Sequence, residues 1–135
     1  MELIKWDESL SVQNYTIDKQ HSKLVSLINQ LHSAMSERKA SEVIDNVLDE
    51  LVKYVDYHFS YEEKLLKKHN YPQLPEQEKE HRAFVKKLEQ FVDKPNAGKA
   101  LISIQVIRFL QEWIVNHIKG IDKKYSDFLI SKGEK

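Results

Sequence analysis

Chain breakers are few and they cluster, which restricts this chain of 135 residues to a handful of long elements. Only three Gly and three Pro occur. Pro72 and Pro75 fall together in "NYPQLP", and Pro95 and Gly98 fall in "DKPNAGK"; a softer break, "SERKAS", lies at 36–41. Between the breaks apolar residues recur at three and four, the period of one helix face. Leu24, Val25, Ile28, Leu31 and Met35 form one stripe. Val43, Val47, Leu51, Tyr54 and Val55 form a second, which runs on through His58 and Glu62 to Leu65 and Leu66. Phe84, Val85, Leu88 and Val92 form a third. Ile102, Val106, Phe109, Leu110, Trp113, His117, Ile121 and Tyr125 form a fourth that continues to Phe128 and Leu129.

The spacing predicts helices over about 18–37, 41–69, 74–93 and 97–131, with Asp18 and Ser41 as N-caps and Pro75 in a first turn. Short connections make successive helices antiparallel neighbours. The expected fold is therefore all-α: an antiparallel up-down-up-down four-helix bundle, one domain over residues 1–135. Residues 1–17, with Trp6, Tyr15 and Ile17, are expected to form an extended N-terminal arm packed on it.

Composition narrows the chemistry. The absence of cysteine excludes disulfides, thiolate catalysis, iron–sulfur clusters and thiolate zinc sites. Any metal must be held by His, carboxylate or amide. Lys plus Arg and Asp plus Glu each total 21, so nothing favours nucleic acid or an anionic membrane as partner. The most apolar run, "ALISIQVIRFLQEWIV", is broken by Gln105, Arg108, Gln111 and Glu112, too polar for a membrane span. The start, "MELIKWDESL", lacks the apolar core of a signal peptide. The expected location is cytoplasmic.

Ionisable residues interrupt the apolar stripes, where an unpaired one is costly. His21 lies three before Leu24. His58 and Glu62 stack at i and i+4 on the second stripe. His81 precedes Phe84 on the third, and His117 follows Trp113 at i+4 on the fourth. Asp122 follows His117 at i+5, about 140° around an α-helix, so it needs a long reach or local unwinding. Four helices each offer a His, and two also offer a carboxylate able to bridge two metals. Imidazole with carboxylate suits iron, and also manganese or zinc. A single His on such a stripe is more often a satisfied core residue, and the bland alternative for Glu62 followed by Glu63 is a solvated charge pair with Lys67. His32 and His69 each lie about 16 Å along a helix from a candidate ligand, too far to share a site.

These residues resemble the hemerythrin family, specifically its single-domain bacterial members, over nearly the whole chain. The family pattern is a His on the first helix, then H-x-x-x-E, H-x-x-x-H and H-x-x-x-x-D. Here "IDKQHSKL", "HFSYE", "QEKEH" and "HIKGID" supply His21, His58, Glu62, Gln77, His81, His117 and Asp122. The flanks "WDESLSV", "NYP" and "EW" are similar as well. The resemblance implies two non-haem iron ions joined by an oxo or hydroxo bridge, with O₂ as ligand. His21 and His58 would hold the iron with an open position, the Gln77 position with His81 and His117 the other, and Glu62 and Asp122 would bridge. It also implies an O₂ pocket of Leu24, Phe59, Ile114, Ile118 and Tyr125.

This chain departs from the family at Gln77, where the pattern has His. Gln77 can coordinate through its amide oxygen, a harder donor than imidazole, or hydrogen-bond a ligand on the iron. The implied function is O₂ binding, storage or delivery. The alternatives are a diiron oxidase or peroxidase, through a second open position, and an O₂ or redox sensor. A metal-free interaction module fits least, since it leaves the ligands buried without compensation. Expected partners are O₂ and small anions such as azide, an O₂-consuming enzyme, and no nucleic acid or membrane. The expected state is a monomer.

Overall fold

Each apolar stripe becomes the buried face of one helix. The structure, a computed structural model, describes residues 3–93 and 98–134. α1 spans Tyr15–Ser36, α2 Ala40–Lys68, α3 Leu74–Val92 and α4 Lys99–Trp113. α4 runs without a break into a π-helical segment, Ile114–Asp122, and then into α5, Lys123–Ser131. Among the described residues there is no strand, and the last three pieces act as one long fourth helix of an antiparallel bundle. α2 packs against α1, α3 and α4, and α1 packs against α4 as well. No helix among the described residues is long and apolar enough to cross a membrane.

Local chemistry sets the ends. α1 is capped by Asn14, whose side-chain oxygen accepts from the Ile17 N–H at 3.0 Å, not by Asp18 as expected. Asp18 lies inside the helix and binds the arm instead, accepting from Val12 N–H and Ser11 Oγ at 2.8 and 2.6 Å. α2 starts at Ala40 with Lys39 at the cap position and no side-chain cap, so Ser41 does not serve. Pro75 sits in the first turn of α3, where a missing N–H costs nothing. α2 ends in a Schellman turn: Asn70 takes φ 57° and the Tyr71 N–H reaches back to the Leu66 carbonyl at 3.0 Å. Pro95 and the expected start of the fourth helix at residue 97 lie outside the described residues.

The arm is shorter than expected. Tyr15 is helical and 74% exposed, and Ile17 is buried within α1. Residues 3–14 pack on the bundle through a 3₁₀ turn, Glu8–Leu10. Asn29 clamps the arm by bonding both the N–H and the carbonyl of Ile4, at 2.9 and 2.7 Å.

Two apolar clusters fill the interior. The larger includes Leu24, Leu51, Phe59, Phe84, Trp113, Ile114 and Ile118. The smaller holds Val12, Ile17, Leu66, Tyr71, Tyr125 and Leu129. Along every helix the change from one cluster to the other falls at the candidate ligands: Ile17, His21, Leu24 on α1, and Phe59, Glu62, Leu66 on α2.

Candidate metal centre

Between those clusters lies a polar layer. α1 contributes His21, α2 His58 and Glu62, α3 Gln77 and His81, and the π segment His117 and Asp122. All seven are at most 2% exposed. The π segment explains the i+5 spacing. Its hydrogen bonds run between residues five apart, which brings His117 and Asp122 nearly into line.

The two carboxylates divide their oxygens between two pairs of imidazoles. Glu62 Oε2 stands 3.1 Å from His58 Nε2 and 3.8 Å from His21 Nε2, while Oε1 stands 3.0 Å from His81 Nε2. Asp122 Oδ2 stands 3.4 Å from His21 Nε2, and Oδ1 2.9 Å from His117 Nε2. Donors bound to one cation at about 2.0–2.2 Å stand roughly 3 Å apart, so these spacings suit coordination. His21, His58 and Glu62 form one group whose donor atoms lie close enough to hold a metal ion, and Glu62, His81 and His117 a second that shares Glu62.

Several of these atoms have no hydrogen-bond partner: the Nε2 of His21, His81 and His117, Glu62 Oε1 and Asp122 Oδ2. Orphaned buried donors and acceptors are rare because each costs free energy. Here they face one another across two adjacent positions. A cation at each position resolves the whole set, so the residues fit a pair of metal ions.

Hydrogen-bonded neighbours fix two of the imidazoles for that role. His58 Nδ1 donates to Gln20 Oε1 at 2.6 Å, and His81 Nδ1 donates to Glu63 Oε2 at 2.8 Å. Each bond leaves Nε2 with its lone pair directed inward. Aromatic rings lie flat against three of the four imidazoles: Tyr54 on His58, Phe59 on His81 and Trp113 on His117. Gln20, Tyr54 and Glu63 were not singled out as site residues from sequence. Gln20 beside His21, Tyr54 one turn before His58 and Glu63 beside Glu62 carry no signal that separates them from core or solvated positions. Glu63 in particular bonds His81 rather than standing as a solvated partner of Lys67.

Charge follows from this packing. Burial would raise Glu62, but the nearby His58, His21 and His81 outweigh it and hold the carboxyl well below its ordinary value. Burial lowers His21, yet the nearby carboxylates of Asp122 and Glu62 prevail and lift it to about 9. Burial likewise lowers His81, and Glu62 and Glu63 reverse the sign. His58 is lowered, burial being the larger effect. Burial, reinforced by Glu62 and Asp122, pushes the phenols of Tyr54 and Tyr125 well up.

Gln77 points into the layer, but its Nε2 donates to Asp122 Oδ1 at 3.1 Å and its Oε1 has no partner. Of the expected pocket residues, Leu24, Ile114 and Ile118 are buried in the larger cluster beside the ligands. Phe59 spans both halves, stacked on His81 at 3.9 Å and 5.7 Å from His58. Tyr125 is buried in the smaller cluster, and its hydroxyl donates to Glu62 Oε2 at 2.9 Å. His69 stands apart at the end of α2, bonded to Glu134 at 2.9 Å, and His32 is half-buried on α1.

Known proteins are similar in sequence and in fold. The Hemerythrin HHE cation binding domain matches residues 13–129. A bacteriohemerythrin of Stenotrophomonas maltophilia (strain R551-3) is 32% identical over 127 residues, 94% of this chain and 82% of that protein. A hemerythrin-like protein of Naegleria gruberi is 35% identical over 124 residues, 92% of each chain. The crystal structure of wild-type hemerythrin aligns with a TM-score of 0.81 at 29% identity, covering 93% of this chain and 96% of that one. A domain match running from the end of the arm to the last helix, joined to this likeness of sequence and structure, shows that the chain belongs to the hemerythrin family.

Proposed function

We propose that this protein binds O₂ at two non-haem irons held in the polar layer, and that reversible binding for storage or delivery is its role. The observation that carries this reading is the division of oxygens. Glu62 and Asp122 each present one oxygen to His21 on one side and the other to His81 or His117. A pair of irons there would supply the electron exchange that O₂ binding requires. Glu62 and Asp122 offset part of the cationic charge and keep the two positions adjacent. Tyr125 holds Glu62 in place through its hydroxyl. Leu24, Phe59, Ile114 and Ile118 exclude water from the layer, which protects a bound ligand from protons and hydrolysis.

Anaerobic loading with ferrous iron, metal counting and an optical spectrum before and after O₂ test the reading. The expected result is two irons per chain and a new absorption band that disappears when O₂ is withdrawn. One iron per chain, or no reversible change, rejects it.

Gln77 supports a second reading, oxidase- or peroxidase-like turnover. Its amide donates to Asp122 where the family pattern has a ligating His, so the His81 and His117 side is one imidazole short. Steady peroxide or donor turnover by the iron-loaded protein, in place of reversible O₂ uptake, would favour it.

A further inference from the structure

Two buried donors beside His58 have no partner: the Tyr54 hydroxyl and the Gln20 Nε2 amide. Gln20 is fixed by its bond to His58 and is aimed away from the imidazole through that nitrogen. Tyr54 differs. It is 6% exposed, and its ring is stacked on His58 at 5.1 Å with 14° between planes, which restricts where the hydroxyl can lie. The hydroxyl is within electrostatic reach of Glu62, Asp122 and Tyr125. Tyr125 has already committed its own hydroxyl to Glu62, whereas that of Tyr54 is free. A buried phenol without an acceptor is a standing cost, removed when an acceptor arrives.

The surroundings indicate what that acceptor is. Tyr54 and Gln20 line a cleft of about 580 Å³ between α1 and α2, whose rim carries Lys19, Lys23 and Lys53, with Lys23 paired to Glu50 at 3.7 Å and Lys53 to Asp49 at 3.3 Å. Lys19 is the lining lysine left over from these two pairs, and its charge draws anions to the cleft. We propose that Tyr54 is a ligand-recognising residue, its hydroxyl donating a hydrogen bond to a small anion held on the His21 and His58 side of the centre. The proposal rests on the two-iron reading above. Tyr54 would favour ligands with a charged or strongly accepting atom over neutral ones of the same size.

The test is Tyr54→Phe in the full chain, with azide as the anionic probe and nitric oxide as the neutral one. In iron-loaded protein, azide affinity should fall roughly tenfold or more, the scale of one hydrogen bond to a charged acceptor. Nitric oxide affinity should change little. In metal-free protein the melting temperature should hold or rise, because the hydroxyl loses no partner. Equal losses for both probes mean a packing change and overturn the proposal, as does unchanged azide binding. A clear drop in metal-free stability also overturns it, by showing that the hydroxyl is already bonded. A parent protein that takes up no iron overturns the two-iron reading and this proposal together. A parent that binds iron and azide, matched by Tyr54→Phe, overturns this proposal alone.

Discussion

Behind His58 stands a neutral amide, Gln20; behind His81 stands a carboxylate, Glu63. Gln20 and Tyr54, which back the His21 and His58 half, are more than nine-tenths buried even though they line the smaller cleft. The backing of the His81 and His117 half is more exposed. Glu63 is 31% exposed and lines a cleft of about 880 Å³ between α2 and α3, with Arg82 and Lys86 nearby. That same half has Gln77, which donates to a carboxylate where a third imidazole would accept a cation. Under the two-iron proposal the contrast gives two ways to hold a cation. One half relies on enclosure and two imidazoles. The other has an amide where the family pattern has His and a charge one bond further out, and a carboxylate behind an imidazole makes that imidazole a stronger donor.

The change expected to matter most removes what the halves share. In Glu62→Gln only one side-chain oxygen remains, and the amide N–H₂ must face either His58 or His81. Iron uptake should fall from two per chain to one or fewer. The melting-temperature gap between loaded and metal-free protein should shrink with it, since binding to the folded state alone is what creates that gap. Metal counting and thermal unfolding with and without chelator check both. Two retained irons would break the comparison by showing that the halves do not depend on a common carboxylate.

Glu63→Gln should act on one half only. Losing a carboxylate behind a ligating His costs roughly 10–100-fold in metal affinity. In a stepwise anaerobic iron titration the second, weaker event should weaken further while the first stays put. Gln20→Ala should show the reverse pattern with a smaller shift, because an uncharged acceptor is removed. Equal weakening of both events by either change would erase the distinction between the halves. Gln77→His supplies the missing imidazole directly. It should lengthen the life of the oxygenated form, lower any peroxide turnover and confine azide to one iron. Autoxidation rates and azide spectra of the two proteins measure this, and identical values would show that Gln77 does not govern that half.

Much of this centre was legible because burial and ionisability conflict. His21, His58, Glu62, His81 and His117 stand out on apolar stripes, where a charge needs a partner. Helix geometry made the five-residue step to Asp122 legible as needing either a long reach or local unwinding, and the π segment provides the unwinding. The residues behind the ligands were hidden by the opposite circumstance. Glu63 has ordinary charged neighbours, and Tyr54 fits a core stripe as well as any tyrosine does; only the packing of α3 against α2 and the stack on His58 give them meaning. The helix starts failed more locally. Asn14 and Asp18 are both good caps, and the choice between them was decided by the arm, which uses Asp18 to satisfy Ser11 and Val12.

The smallest expected effect is a count of protons. In the metal-free protein burial pulls His21 down, but the nearby carboxylates of Asp122 and Glu62 raise it from 6.5 to about 9, so it is protonated near neutral pH. A raised value in the folded state means that this proton stabilises the metal-free fold fully below 6.5 and that the contribution is lost as pH climbs through about 9. Ligation needs the neutral imidazole, so loading near neutral pH must expel about one proton from this residue. His81 is raised as well and adds to the release, while His58 is lowered and adds little. Anaerobic calorimetric titration with ferrous iron in two buffers of different ionisation heat reads the number. The release should decline as the starting pH approaches 9. A release that does not vary with pH would mean that His21 is already neutral before metal arrives. The enclosed half would then hold its two carboxylates without a compensating proton, and the contrast drawn between the halves would have to rest on Glu63 and Gln77 alone.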